Sequence, residues 1–189
     1  MKTTQQPKSE AELLAGCRRG DARCQREFYE RFAGRMMAVC RRYGKDEDEA
    51  KDMLQEGFIR VFEKLDQYSG KGSLEGWIRM VVINHALIVI RRTKHYRNAA
   101  GLDDVQEFTS NEVGALQQLS QAELMQLVTE MPQGYRTVFN LFAIEGYPHE
   151  EIATMLGISE STSKTQYHKA RAHLKKALTA QEKQPQQPQ

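Results

Sequence analysis

Several features that define other protein classes are missing from this 189-residue sequence. Its longest apolar stretch, Met80 to Ile90, is about half of the roughly 20 residues that a membrane-spanning helix needs. The mean hydropathy of −0.66 is also too low for an integral membrane protein. The first fifteen residues mix basic and acidic side chains without an apolar core, so no cleavable secretion signal is expected.

Cysteine is scarce, and the spacing of the three cysteines is not that of a metal site. Cys17, Cys24 and Cys40 form no C-x-x-C pair, and their odd number does not suit a disulfide scaffold. They are predicted to be reduced, structural thiols in a cytoplasmic protein.

Catalytic signatures are missing as well. The sequence has no glycine-rich phosphate loop and no H-E-x-x-H motif, and the histidine of Pro148-His-Glu-Glu has no second histidine beside it. No nucleophile with a neighbouring base is evident. We therefore expect no enzyme activity, no catalytic residue, no cofactor and no metal.

Charge is segregated along the chain although the formal net charge is only +2. Residues 1–97 carry 20 basic and 14 acidic side chains, residues 98–130 carry none and 6, and residues 131–189 carry 7 and 5. Two stretches are strongly basic. Gly76–Arg97 has five basic residues and no acidic one, and Glu160–Lys176 has five and one. Such patches favour nucleic acid, although ordinary solvated helix faces have the same composition.

Helical periodicity runs through the first half, and no alternating strand pattern is visible. One helix is predicted after an N-cap at Asp21, a second at about Glu47–Leu65 and a third from Leu74 to about Lys94. A loop with two glycines, Asp66–Ser73, separates the last two. The third helix is apolar nearly all round, which predicts the central buried helix of an N-terminal bundle.

The helical pattern breaks at about residues 97–116, an acidic stretch that is predicted to be a flexible linker. It returns from Gln117, with one helix stopped by Pro132 and another ending near Gly146. The Gln- and Pro-rich residues 181–189 are predicted to be disordered. We expect an all-α protein of two small helical domains joined by this linker.

Residues 149–168 have the pattern of a helix-turn-helix. Pro148 suits the start of the first helix, Gly157 falls at the turn where a positive φ is expected, and Ser159 is predicted to cap the second helix. Apolar residues from Tyr167 to Leu178 recur at helical spacing and leave a basic outer face. A helix that enters the major groove needs this arrangement. The predicted DNA contacts are Ser161, Thr162, Lys164, Thr165, His168, Lys169 and Arg171.

Three parts of the sequence resemble the bacterial sigma factors. Asp52–Phe62, DMLQEGFIRVF, resembles their signature D-x-x-Q-E-x-F-x-x-x-[FW]. Gly76–Arg92 is similar to their following helix, G-W-L-x-x-I-A-x-N-x-A-x-D-x-x-R-R. Met131–Phe139 and Gly157–Gln166 are similar to their C-terminal DNA-binding region. The order, spacing and linker resemble the small two-domain extracytoplasmic-function (ECF) type.

The resemblance implies a domain organisation and a function. Residues 10–97 correspond to region 2, which binds core polymerase and recognises and melts the −10 element. Residues 98–116 are the linker, residues 117–180 form the region 4 helix-turn-helix of the winged-helix-like type, which reads the −35 element, and residues 181–189 are a tail. The implied function is to direct core RNA polymerase to such promoters and initiate transcription.

The second predicted helix carries the implied polymerase-binding surface. Its polar residues recur every three to four positions, opposite the apolar stripe. In the family this face docks on the clamp helices of the β′ subunit. The predicted core-binding residues are Asp52, Gln55, Glu56, Ile59 and Arg60.

The loop Asp66–Ser73 and the start of the next helix resemble the part of the family that captures flipped bases of the −10 element. Trp77 suits either base stacking or the core, and the core is favoured. Asn84 is an amide within an apolar helix, where it is costly to bury without a hydrogen bond, so a promoter contact is predicted. The predicted −10 contacts are Tyr68, Lys71, Ser73, Trp77, Arg79, Asn84, Arg91 and Arg92.

Three positions depart from the family pattern. Ser163 and Gln166 stand where many members have Val and Arg, and Ile88 replaces the usual acid. Ser163 is predicted to face inward, where its hydroxyl needs a partner. These departures leave the promoter sequence open.

The resemblance also implies partners. These are the RNA polymerase core, through its β′ clamp and β flap, promoter DNA and an anti-sigma factor, with no direct membrane contact and a monomeric free state. Two alternatives remain. A helix-turn-helix transcription regulator acting without the polymerase core has no need of the acidic Asp52–Arg60 face. The other is a helical interaction adaptor, which has no need of the basic second helix of the helix-turn-helix.

Overall fold

The computed structural model describes residues 8–99 and 121–182, and within these ranges every regular element is helical. The predicted all-α class is confirmed. The chain forms two compact units, which divide between Ala86 and Leu87. None of the described helices combines the length and hydropathy that crossing a bilayer requires.

Within residues 8–99 the structure has four α-helices and a short 3-10 turn. The turn separates the third and fourth helices. The elements are α1 (Glu10–Arg18), α2 (Ala22–Tyr43), α3 (Glu47–Glu63), the 3-10 turn (Leu65–Gln67) and α4 (Leu74–Ala99).

Side-chain caps explain where these helices begin. Asp21 accepts hydrogen bonds from the backbone N–H groups of Arg23 and Cys24, as predicted for the start of α2. Ser9 and Glu12 form a capping box that starts α1, a helix that the sequence analysis missed.

Aromatic side chains of α2 and α3 form the centre of the N-terminal unit. The Phe28 ring lies 5.0 Å from Phe32 and 5.6 Å from Phe62. The helix α4 packs close to α3 at Gly57, where an added Cβ would lie 3.3 Å from a methyl group of Val82. The predicted apolar stripes of α2 and α3 therefore face the core.

The helix α4 is less completely buried than its composition predicted. Ile78, Val82 and Ile83 are fully buried, but Met80 and Ile88 are 42% and 39% exposed. These two residues are eight positions apart and lie on one face. The helix predicted to be central is therefore buried over much of its surface but exposed along one stripe, which apolar composition alone does not identify.

The C-terminal unit begins within α4 and also contains a second set of helices. They are α5 (Gln121–Glu130), α6 (Gln133–Phe139), a π-helical turn (Asn140–Ile144), α7 (His149–Leu156) and α8 (Glu160–Glu182). One hydrophobic cluster of this unit packs Leu127 and Val128 of α5, with Met131 just after it, against Ala170 and Leu174 of α8, and Tyr135 and Phe139 of α6 lie against it. The described part of α8 includes the first two residues of the predicted tail. The rest of the tail, and the predicted linker beyond Ala99, lie outside the described residues.

Candidate protein and nucleic-acid interfaces

The outer face of α3 carries the five predicted polymerase-binding residues, and all five are exposed. Ile59 is a large apolar side chain that is 55% exposed among polar neighbours. Arg60 pairs with Glu63 across one helical turn, with 2.7 Å between Nη1 and Oε2. This α3 face (Asp52, Gln55, Glu56, Ile59 and Arg60) is therefore accessible to a partner and combines charge with one apolar contact.

One residue of the α3 face reaches back to α4. Oε2 of Glu56 lies 2.9 Å from Nε2 of His85, whose side chain is 6% exposed. Sequence reasoning did not single out His85. Its position beside Asn84 inside an apolar run was the available signal, since a buried imidazole needs a polar partner.

The loop between the 3-10 turn and α4 is held by its own tyrosine. Tyr68 is only 8% exposed, its hydroxyl donates to the carbonyl of Gly72 at 2.9 Å, and its ring lies 5.5 Å from Trp77. Gly70 and Gly72 both have positive φ, near +79° and +77°, which only glycine adopts at low cost. Tyr68, predicted as a DNA contact, is thus an internal anchor of the loop in this structure.

The other predicted −10 residues differ in exposure. Lys71 and Ser73 are exposed, and the Ser73 hydroxyl accepts the N–H of Gly76 at 3.0 Å as the predicted cap of α4. Trp77 and Arg79 are half-buried, while Arg91 and Arg92 are exposed near the end of the described side chains of α4.

Asn84 is exposed rather than buried. The sequence argument for its promoter contact rested on the cost of a buried amide, and that premise was wrong because Asn84 belongs to the outward stripe of α4 with Met80 and Ile88. An exposed amide between two partly exposed apolar residues still offers a hydrogen-bonding surface. Its promoter contact stays a prediction on that different ground.

The residues 149–168 form the predicted helix-turn-helix. Gly157 ends α7 with φ of 65°, and Ser159 accepts the N–H of Thr162 at 3.1 Å at the start of α8. Ser163 is fully buried, and its hydroxyl lies 2.9 Å from Nδ1 of His149. This bond explains how a serine replaces an apolar residue at an inward position, because its hydroxyl is satisfied by the first residue of α7.

A stack of rings holds α7 against its neighbours. The His149 ring lies 4.2 Å from Phe142 with nearly parallel planes, and Phe142 lies 4.6 Å from Tyr167. The two helices of the hairpin are therefore fixed by aromatic contacts as well as by the His149–Ser163 bond. This fixes the orientation of the N-terminal part of α8 within its unit.

The outer face of α8 carries the predicted −35 residues. Ser161, Lys164, Thr165, His168 and Arg171 are exposed, and Thr162 and Lys169 are half-buried. Lys164 pairs with Glu160 at 2.7 Å, and this hydrogen bond lowers the pKa of the Glu160 carboxyl. Nζ of Lys169 lies 5.9 Å from the ring centre of Tyr135, within cation–π range. This α8 face is basic and accessible.

The cysteine side chains are all buried. Burial raises the pKa of Cys17 to about 11 and that of Cys40 to about 12, so both are protonated at neutral pH. Among residues 8–99 and 121–182, no cluster of three or more His, Cys, Asp or Glu side chains is placed to hold a metal.

Two family models match the chain and correspond to its two groups of helices. The model described as Sigma-70 region 2 matches residues 28–96, and that described as Sigma-70, region 4 matches residues 121–174. The first range includes the α3 face and the loop before α4, and the second includes the helix-turn-helix.

Curated relatives agree with these matches. The chain is 28% identical to the ECF RNA polymerase sigma factor SigE of Mycolicibacterium smegmatis over 80% of this chain, and the match spans only 60% of that protein. It is 25% identical to the RNA polymerase sigma-H factor of Pseudomonas aeruginosa, over 88% of this chain and 92% of that one.

A solved structure has a similar fold. The sigma factor RpoE of Bartonella quintana, in complex with the anti-sigma factor NepR, matches with a TM-score of 0.51 and 18% identity, over 82% of this chain and 96% of that one. The two family models and the curated relatives show that the chain belongs to the sigma-70 family of RNA polymerase sigma factors and, within it, to the ECF type.

Proposed function

We propose that this chain directs core RNA polymerase to promoters with −10 and −35 elements and initiates transcription there. The observation that carries this is the pairing of two different accessible surfaces in one chain. The α3 face is acidic with an exposed Ile59, whereas the α8 face is basic. A DNA-binding regulator that works alone has a use for the second surface but not for the first.

The α3 face is the proposed docking surface for the β′ clamp helices. Ile59 supplies an apolar anchor, and Asp52 and Gln55 supply polar contacts around it. An apolar centre with a polar rim is the usual anatomy of a protein interface. Helices on the partner with basic or polar side chains match this surface in charge.

The loop before α4 and the outward face of α4 are the proposed −10 surface. Lys71, Ser73 and Asn84 are exposed and offer hydrogen bonds, while Arg91 and Arg92 offer positive charge to phosphates. Flipped bases need a pocket or platform, and the half-buried Trp77 beside Tyr68 can serve as one. The proposal does not need a direct DNA contact from the buried Tyr68.

The α8 face is the proposed −35 reader. Its N-terminal residues Ser161, Lys164 and Thr165 are exposed, as required of a recognition helix whose first turns approach base edges. Docking of the C-terminal unit on the β flap would place this helix relative to the −10 surface. The proposal therefore assigns the β′ clamp and the −10 element to α3, α4 and the loop between them, and the β flap and the −35 element to the helices α5 to α8.

An anti-sigma factor is the proposed regulator. The RpoE chain of similar fold is bound to one in its structure, and Ile59, Met80 and Ile88 are exposed apolar side chains that such a partner can cover. The proposed location is the cytoplasm, the proposed free state is a monomer, and no direct membrane contact, cofactor or metal is proposed.

Transcript mapping tests the proposal directly. The purified chain is mixed with bacterial core polymerase and genomic DNA from the same source, and transcript 5′ ends are mapped with and without the chain. We expect discrete starts that depend on the chain and share sequences about 10 and 35 base pairs upstream. Core-independent DNA binding without such starts would instead identify a conventional helix-turn-helix regulator.

A further inference from the structure

The helix α1 contacts the chain around the start of the base-capture loop. This name is used for the loop Asp66–Ser73. Nη2 of Arg18, the last residue of α1, donates to the carbonyl of Leu65 at 3.2 Å and to the carbonyl of Tyr68 at 3.0 Å. These bonds join positions 47 and 50 residues apart in sequence. One guanidinium therefore links α1 to the first residue of the 3-10 turn and to the residue that follows the turn.

Both carbonyls belong to residues that determine the conformation at the start of the loop. The Leu65 carbonyl also accepts the N–H of Tyr68 at 3.2 Å, which closes the 3-10 turn. Tyr68 in turn is the anchor of the loop, through its hydroxyl bond to Gly72 and its ring beside Trp77. Arg18 thus fixes the start of the loop from outside, and Tyr68 fixes its far side from within.

The ion pair with Asp66 contributes less. Nε of Arg18 lies 3.6 Å from Oδ1 of Asp66, whose side chain is 86% exposed. Exposed ion pairs are weak because water screens them and both side chains lose freedom. The Arg18 side chain is only 39% exposed, so its bonds to the two carbonyls are the better shielded contacts.

We propose that Arg18 is a positioning residue for the base-capture loop, acting on promoter melting through the backbone of Leu65 and Tyr68. The inference rests on the proposed role of this loop. Without Arg18 the contacts of Tyr68 remain, but the start of the loop loses its two bonds to α1, and two glycines with positive φ then allow it more conformations. Capture of a flipped base then has to order the loop, and that entropic cost weakens capture.

Four variants of the full chain separate this role from simpler ones. Arg18→Ala removes both carbonyl bonds, and Arg18→Lys keeps the charge but loses the planar fork. Asp66→Ala removes only the ion pair. Arg19→Ala is the matched control, because it removes an exposed arginine next in sequence. Thermal unfolding and affinity for core polymerase are measured for each variant.

Promoter opening is the decisive measurement. Each variant is assembled with core polymerase on a promoter fragment recovered by transcript mapping, with 2-aminopurine in the non-template −10 strand to report unstacking. We expect Arg18→Ala to lower the opening rate and the affinity for single-stranded −10 DNA about tenfold, with Arg18→Lys intermediate. Asp66→Ala and Arg19→Ala should stay within about twofold of the parent chain. Affinity for core polymerase should not change.

Each result bears on the inference. If Arg18→Ala opens the promoter as fast as the parent chain, or if its core affinity falls as much as its opening rate, the positioning role is overturned. An effect of Asp66→Ala equal to that of Arg18→Ala would also overturn it, because the ion pair would then be the important contact. If the parent holoenzyme itself opens no promoter, the proposed function fails rather than this inference.

Discussion

At the scale of single residues, two helical glycines have opposite roles. A Cβ added at Gly16 would collide with Cβ and Sγ of the buried Cys24, where α1 meets α2. A Cβ added at Gly34, which is exposed on α2, would meet nothing within 4 Å. One position requires glycine for packing, while the other carries only the entropic cost of glycine in a helix.

We therefore expect opposite signs from the same substitution. Gly16→Ala should lower the free energy of unfolding by about 1–3 kcal/mol, because the helices must separate to admit the methyl group. Gly34→Ala should raise it by about 0.5–1 kcal/mol through helix propensity. Urea denaturation of the full chain measures both. Equal effects of the two substitutions would show that α1 does not pack as described.

At the scale of elements, the α3 face carries a prediction about polymerase affinity. Asp52→Ala combined with Ile59→Ser should weaken binding to core polymerase at least about tenfold, because an apolar anchor and a polar contact are both lost. Both residues are exposed, so helix content and thermal stability should not change. Glu56 is left in place because its carboxylate lies 2.9 Å from Nε2 of the buried His85.

The matched control for this variant is Glu30→Ala, an exposed acid on α2. Fluorescence anisotropy with labelled chain measures both affinities. If Glu30→Ala weakens binding as much as the double variant, general charge rather than the α3 face determines the affinity.

The α8 face leads to a second prediction, about affinity for DNA. Substitutions of the paired residues Lys164 and Glu160 should change this affinity in opposite directions. Lys164 is paired with Glu160 at 2.7 Å, so the acid competes with DNA for the lysine. Lys164→Ala should weaken binding to a −35 duplex several-fold and reduce the slope of log affinity against log salt by about 1. Glu160→Gln should strengthen binding, because it removes a negative charge near the phosphates.

Lys45→Ala is the control for charge alone, since Lys45 is exposed in the N-terminal unit. Affinities are measured by titration at several salt concentrations. An unchanged slope for Lys164→Ala would show that this lysine does not neutralise a phosphate.

Elements with a clear periodicity could be predicted from the sequence. Phe28, Phe32 and Met36 of α2 recur at helical spacing and are buried as expected. So are Ala170, Leu174 and Leu178 of α8, whereas Tyr167 is half-buried. The helix α1 was missed because only nine residues carry its pattern, although the Ser9–Glu12 capping box was readable. Short helices depend on tertiary contacts, which periodicity does not report.

The candidate surfaces were predictable in outline but not in detail. The exposure of the α3 face followed from spacing, since its residues lie opposite the buried stripe, whereas its proposed role in binding polymerase came from the family resemblance. The burial of Tyr68 and the exposure of Asn84 could not be predicted from spacing, because whether an aromatic or an amide side chain points inward depends on neighbours distant in sequence. The bonds of Arg18 to Leu65 and Tyr68 could not be predicted either, because no local sequence pattern links residues that are 47 and 50 positions apart.

At the scale of the whole molecule, charge is segregated along the chain, and its parts are expected to differ in affinity for DNA. Residues 98–130 carry six acidic side chains and no basic one, between an N-terminal part with a net charge of +6 and a C-terminal part with +2. Acidic side chains are repelled by the negatively charged phosphate backbone, so residues 98–130 are not expected to bind DNA. We expect promoter binding to be divided between the two flanking units and to weaken steeply with salt.

This division leads to a prediction about promoter spacing. Residues 100–120 could extend over roughly 75 Å at most, which is enough to follow a −35 element moved by a few base pairs. A tether alone would therefore tolerate an altered spacer. If the C-terminal unit is also docked on the β flap, as proposed, its position on the polymerase is fixed. The unit then cannot follow a −35 element that has been rotated around the DNA axis.

Inserting five base pairs between the two elements rotates them by about half a turn relative to one another. We expect this to reduce run-off transcription at least about tenfold, while the affinity of the free chain for the −35 duplex stays unchanged. The comparison uses one mapped promoter with its original and lengthened spacers. Undiminished transcription would show that only the intervening chain positions the C-terminal unit, and the flap contact would have to be withdrawn.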